Sequence, residues 1–130
     1  SHKNGLAVAI ASRKSHGTVG IDLEYIGRDR RHIAEKVLRS EEFEFIQNMP
    51  EDRQWLATLL RFSIKESTYK ALAPKLQRYI AFDEASVCEV KDGAARIVLH
   101  LETEDGPDTI EARYEWMPEG LITTVRARWN

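Results

Sequence analysis

Apolar positions recur with two different periods along this chain, and the change of period divides it. Residues 6–12 and 18–24 read as strands, the first a buried apolar run and the second alternating. Helical spacing then takes over. Ile33 and Val37 stand four apart within residues 31–38. Ser40, with Glu41 and Glu42 behind it, predicts the N-cap and acidic first turn of another short helix. Pro50 and Glu51 open the longest helical stretch, which the pattern carries to Ala73 before Pro74 stops it.

From residue 86 onward the period becomes two. Residues 86–91 and 95–101 flank Asp92-Gly93-Ala94, a hairpin signal. Ile110, Ala112, Tyr114 and Trp116 alternate with Glu111, Arg113 and Glu115, and Leu121, Thr123, Val125, Ala127 and Trp129 repeat the alternation after Gly120. Short connections between such strands favour antiparallel pairing. The expected fold class is α+β: a long helix and shorter helices packed on a mostly antiparallel sheet, in one domain over residues 1–130.

Composition narrows the function classes. With 42% hydrophobic and 31% charged residues the chain has the make-up of a globular domain, and no apolar run approaches a membrane span. A net charge of −2 argues against a broad nucleic-acid footprint while leaving room for a local basic pocket. Cys88 is the single cysteine, so neither an internal disulfide nor a cysteine-based zinc site is expected; it reads as core packing in a reducing, cytoplasmic setting.

Two elements carry candidate chemistry. On strand 18–24, Val19, Ile21 and Leu23 point one way and Gly20, Asp22 and Glu24 the other, so both carboxylates share a face. Alone, that pattern also fits a sheet with one wet face. On the long helix, Trp55, Leu59, Phe62, Glu66, Tyr69 and Ala73 fall on one stripe, which predicts Glu66 in the middle of the apolar face. An ionised carboxylate there needs a proton, an ion pair or a cation. Lys70 follows one turn later, and the plain alternative is an ordinary i,i+4 Glu–Lys pair. If this stripe packs on the carboxylate strand, Asp22, Glu24 and Glu66 converge with Lys65 and Lys70 nearby. Such a cluster calls for a hard, oxygen-seeking cation, Mg²⁺ by preference, shared with phosphate oxygens. Phosphoryl transfer is the reaction class that follows.

At these residues the chain resembles a known family. Ser1-His2-Lys3, Val19-Gly20-Ile21-Asp22-Leu23-Glu24, and Phe62-Ser63-Ile64-Lys65-Glu66-Ser67-Thr68-Tyr69-Lys70-Ala71-Leu72 look like the three ordered motifs of the 4′-phosphopantetheinyl transferases. The likeness is to the surfactin- and enterobactin-type enzymes, whose polypeptide carries two similar halves. It implies one half of that fold, the carboxy-terminal catalytic half, with the amino-terminal half absent from this chain or replaced by self-association. It also implies transfer of phosphopantetheine from coenzyme A to a serine of an acyl or peptidyl carrier protein. Asp22, Glu24 and Glu66 would then hold Mg²⁺, and Glu66 would take the serine proton. Lys70 and Lys65 would stabilise the phosphates, and His2 and Lys3 would meet the 3′-phosphate of coenzyme A. Phe62 stands where the family's helix motif usually has Trp. Arg28, Arg30 and Arg31 are placed to meet an acidic carrier-protein helix, or simply form a solvated loop. No role is assigned to His16, His32 or His100.

Two other readings compete. A metal-dependent nuclease also gathers Asp, Glu and Lys, yet it would show a basic surface, and its lysine would sit on a strand. A non-catalytic carrier-protein-binding module of the same fold would bind coenzyme A without turnover.

Overall fold

The structure, a computed structural model, describes residues 1–3, 5–13, 17–102 and 105–130. Five antiparallel strands form the main sheet: β3 (Thr18–Tyr25), β4 (Ala85–Lys91), β5 (Ala94–Leu99), β6 (Thr109–Trp116) and β7 (Gly120–Arg128), after a two-strand hairpin of β1 (His2–Lys3) and β2 (Leu6–Ala7). Their spatial order is β3-β7-β6-β5-β4, so the last strand inserts between the first long strand and the meander. Three helices lie between β3 and β4: α1 (Ala34–Val37), α2 (Ser40–Gln47) and α3 (Glu51–Leu76).

Local chemistry explains most of these boundaries. Asp92 and Gly93 adopt φ of 51° and 81°, the pair of positive values that a tight turn between twisted strands requires, so the β4–β5 hairpin closes where the Asp-Gly signal stands. Pro50 caps α3 in extended conformation, and Glu51 and Asp52 face its positive end. The helix does not stop before Pro74, as the sequence pattern predicts. It runs one turn further and ends at Gln77, whose φ of 56° is left-handed and whose N–H reaches the carbonyl of Ala73. The segment predicted as a single helix over residues 31–38 is instead a 3₁₀ turn, Arg31–Ile33, followed by the one-turn α1. The cap of α2 is Arg39, one residue before the expected Ser40, and its backbone N–H is accepted by Glu42 Oε1 at 2.9 Å.

α3 is covered on two sides, which is why it carries no single apolar stripe. Leu59, Ile64, Ala71 and Leu72 join Leu121, Val125 and Ala127 of β7 in the main core. A second cluster of Ala34, Val37, Leu38 and Ile46 packs under α1 and α2, with Phe62 against its edge. The indole N–H of Trp55 donates to the carbonyl of Ile26 at 3.1 Å and ties the start of α3 to the end of β3.

The face of β3 that bears Gly20, Asp22 and Glu24 is not wet. α3 covers it, leaving Asp22 and Glu24 only 4% and 5% exposed. Gly20 permits the approach: a Cβ there would collide with the carbonyl of Ser67 and lie 2.7 Å from the Ala71 nitrogen. The room left by Gly20 is therefore filled by the helix. Thr18 reinforces the same seam, its hydroxyl donating to the Ala71 carbonyl at 2.6 Å.

Candidate functional site

Asp22 sits where β3, β7 and α3 meet, and both of its oxygens are engaged. Oδ1 accepts from Lys70 Nζ at 3.1 Å, and Oδ2 accepts from the hydroxyl of Ser63 at 2.9 Å. Lys70 also donates to the carbonyl of Ile21 at 3.0 Å, so its ammonium bridges a backbone and a side-chain oxygen of the same strand. The helical spacing of Ser63, Glu66 and Lys70 puts all three on the side of α3 that meets Asp22.

Glu24 lies two residues further along the same face and is pushed up to about 8, first by burial and then by its hydrogen bond to Asp22 and the charge there. Glu66 is also raised, by burial and then by the charge of Asp22, while Lys70 and Lys3 pull it back. Three neighbouring carboxylates thus compete for too little positive charge. Lys3 supplies part of it, 3.8 Å from Glu24 on the exposed β1–β2 hairpin. His2 is exposed on that hairpin, and the Ser1 hydroxyl anchors it by accepting from the Leu23 N–H at 3.2 Å.

The donor set suits a hard divalent cation, because it is all carboxylate and because a cation would supply the positive charge that the three groups lack. Among the described residues, no three His, Cys, Asp or Glu side chains converge closely enough to ligate one ion as they stand. The fit is one of donor chemistry: Asp22 and Glu24 in contact, with Glu66 close enough for the charge of Asp22 to shift it.

Two expectations need correction. Glu66 is not at the centre of a buried apolar stripe; it is half-buried at the edge of α3, and the face toward the sheet is led by Ser63, Ser67 and Ala71. Lys65 is turned away from the carboxylates. Its ammonium is buried between α1, α2 and the turn before β4, and it donates to Glu42 Oε1 at 2.6 Å, Val37 O at 2.7 Å and Phe82 O at 3.1 Å. All three N–H bonds are spent, so none remains for a phosphate. Burial pushes Lys65 down, and Glu42 opposes that shift.

A layer of buried hydroxyls escaped the sequence reading. Ser63, Ser67 and Thr123 are fully buried behind Asp22, with Ser63 Oγ to Thr123 Oγ1 at 2.8 Å and Ser67 Oγ to Thr123 Oγ1 at 2.7 Å. The signal was present in Thr123, a polar residue at an inward position of β7. Of the three arginines after β3, Arg31 pairs with Asp29 and Glu51, Arg30 stacks over Trp55 at 5.2 Å, and Arg28 is exposed. His32 is exposed, His100 lies 3.1 Å from the Ser86 hydroxyl, and His16 is outside the described residues. A groove of about 830 Å³ against Phe45, Leu56, Arg61 and Trp116 is lined by none of Asp22, Glu24, Glu66 and Lys70.

The sequence model of the 4′-phosphopantetheinyl transferase superfamily matches residues 18–125, which take in β3, all three helices and most of β7. The chain is 34% identical over 98 residues to the 4′-phosphopantetheinyl transferase Npt of Nocardia iowensis, covering 68% of this chain and 40% of that protein. It is 33% identical over 135 aligned residues to enterobactin synthase component D of Salmonella typhi, covering 98% of this chain and 54% of that one. The chain therefore spans about half the length, or less, of these relatives. The fold resembles the holo-(acyl-carrier-protein) synthase of Bacillus anthracis in complex with CoA (3′,5′-ADP), with a TM-score of 0.68 and 17% identity over 87% of this chain and 96% of that one. With the superfamily's pattern running through the strand, the helix and the sheet that build the carboxylate cluster, the chain belongs to the 4′-phosphopantetheinyl transferase superfamily.

Proposed function

We propose that this chain is the carboxy-terminal catalytic portion of an enzyme that moves 4′-phosphopantetheine from coenzyme A to a carrier-protein serine in the cytoplasm. One observation carries the reading: α3 closes on the Gly20 face of β3, so that Lys70 meets Asp22 at 3.1 Å and Glu66 stands beside it, inside a chain of this superfamily.

The reaction exchanges a phosphoanhydride bond of the pyrophosphate for a phosphoester bond to serine. The serine hydroxyl oxygen bonds to the phosphorus next to pantetheine, the bond from that phosphorus to the bridging oxygen breaks, and 3′,5′-adenosine bisphosphate leaves with the electron pair. Glu66, half-buried on the side of α3 that meets Asp22, is placed to accept the serine proton. Lys70 is half-exposed beside Asp22 and can follow the charge that develops on the transferring phosphoryl oxygens. Asp22, Glu24 and Glu66 would hold Mg²⁺. That ion, when bound, neutralises pyrophosphate charge and helps to hold the diphosphate in line. His2 and Lys3, exposed on the hairpin beside Glu24, would meet the 3′-phosphate. Lys65 has no part in this scheme, since its donors are spent inside the protein.

The test is intact-mass spectrometry of an apo carrier protein incubated with this chain, coenzyme A and Mg²⁺, with Glu66→Gln as control. A metal-dependent gain of one phosphopantetheine that vanishes in the control supports the reading. The second reading is a module of the same fold that binds but does not turn over. Coenzyme A binding without transfer, unchanged when an amino-terminal half is supplied, would establish that module and overturn the enzyme.

A further inference from the structure

We infer that Ser63 is a positioning residue for Asp22, and that Ser63, Thr123 and Ser67 form a buried chain of hydroxyls that fixes which edge of the Asp22 carboxylate faces the cation site. The inference rests on the proposed role of Asp22.

One direction is fixed by chemistry: the Asp22 carboxylate only accepts, so the single Ser63 hydroxyl proton goes to Oδ2 across 2.9 Å. Thr123 Oγ1 lies 2.8 Å from Ser63 Oγ and 3.0 Å from the Ser63 carbonyl, which shares its proton. Ser67 Oγ lies 2.7 Å from Thr123 Oγ1 and 3.0 Å from the Thr123 carbonyl, which shares its proton in the same way. The hydroxyls and these two carbonyls hold Ser63 in the rotamer that meets Oδ2. All three side chains are fully buried, so water cannot replace any member.

Geometry gives the chain its purpose. Thr123 is the register partner of Asp22 across the β3–β7 ladder, and Ser63 and Ser67 are successive turns of α3 facing that pair. The hydroxyls therefore clamp Oδ2 from strand and helix together. Oδ1, held by the partly exposed Lys70, is the oxygen left at the open side of the site. An Asp free to rotate would present either edge, and cation affinity would fall with the fraction of time spent misaligned. Groups that orient ligands in this way cost about 10–100-fold in metal affinity when removed.

The probe is Mn²⁺ alone, with the free ion counted by electron paramagnetic resonance, titrated into the wild-type chain, Asp22→Asn, Ser63→Ala and the double variant Ser63→Ala/Thr123→Val. The double variant removes both hydroxyls with little change of shape, so neither is left without a partner should the single variant fold poorly. The expected result is loss of Mn²⁺ affinity of about tenfold or more in both Ser63 variants, with thermal melts showing them folded at the assay temperature. A folded Ser63 variant that binds Mn²⁺ as the wild type does, while Asp22→Asn has lost it, overturns this inference and leaves the role of Asp22 standing. A wild type that binds no Mn²⁺, or an Asp22→Asn variant that binds as well as wild type, overturns the cation role of Asp22 and this inference with it.

Discussion

Lys65 and Glu42 form a buried ion pair 2.6 Å long, with the two side chains 2% and 3% exposed. The pair is the point at which four elements are joined. Glu42 accepts from the backbone N–H of Arg39 at the start of α2 and of Val87 in β4, and Lys65 donates to the carbonyls that end α1 and that stand before β4. Lys65 precedes Glu66 on α3, so the pair also fixes the rotation of the helix that presents Glu66 to Asp22.

Truncating one member should be far worse than replacing both. Lys65→Ala leaves Glu42 buried without its cation and should cost about 3–5 kcal/mol, whereas Glu42→Gln/Lys65→Met should recover much of that loss. Urea unfolding of the three proteins measures it. A phosphate-binding Lys65 would behave in the opposite way, with stability unchanged and coenzyme A affinity reduced.

That pair also shows where the sequence stops being readable. Strand β3, the Asp92-Gly93 turn and the alternating strands β6 and β7 follow from local rules, because each side chain there answers to one sheet with two faces. α3 answers to two surfaces at once, the sheet and the α1–α2 layer. Its buried residues include Thr58, Arg61, Ser63, Lys65, Ser67 and Thr68, and no periodicity argument marks these as inward. The convergence of Asp22, Glu24 and Lys70, with Glu66 nearby, was legible because strand alternation and the helical motif put them on facing sides. The separation of Lys65 from them was not, since the sequence places Lys65 next to Glu66 and only the packing of α2 shows that it points elsewhere. Ser63 lay inside the same motif, but a serine carries no signal until Asp22 is seen 2.9 Å away.

Gly20 should tolerate no side chain. In Gly20→Ala the new methyl meets the Ser67 carbonyl and the Ala71 nitrogen, backbone atoms that yield only if α3 moves off β3. The expected cost is about 3 kcal/mol, together with loss of the Lys70–Asp22 contact. Thermal denaturation checks the first. A Gly20→Ala protein as stable as wild type would show that the helix does not pack this closely.

Metal-free stability should fall as pH rises. Glu24 has an ordinary value of 4.5 and is held at about 8 in the folded chain, so between those values the folded state binds more protons than the unfolded one. The stability this supplies is fully present below pH 4.5 and is lost as pH passes through about 8. Glu66, raised by the same causes, adds a loss of the same sign. Glu24→Gln keeps the neutral form at all pH and should flatten the profile. Melting temperatures from pH 5 to pH 9 in the presence of a chelator test this, and a wild-type profile as flat as the variant's would refute it.

Lys70 separates an electrostatic role from a merely structural one. Its ammonium stands 3.1 Å from Asp22 and is 37% exposed, while the Asp22 side chain is 6% exposed, so its loss leaves a buried acid short of positive charge. Under the proposed function the same charge would meet the phosphoryl oxygens. Lys70→Met keeps most of the apolar stem and removes only the ammonium, so its melting temperature should fall while the chain stays folded at the assay temperature. Turnover with coenzyme A and a carrier protein should fall by about 10²–10³-fold, because a charge aligned with the transition state is lost. Lys70→Arg keeps the charge but spreads it over a wider, planar group, and should recover part of the rate. If Lys70→Met loses stability but keeps turnover, Lys70 is a strut for Asp22 and the phosphoryl charge is met elsewhere.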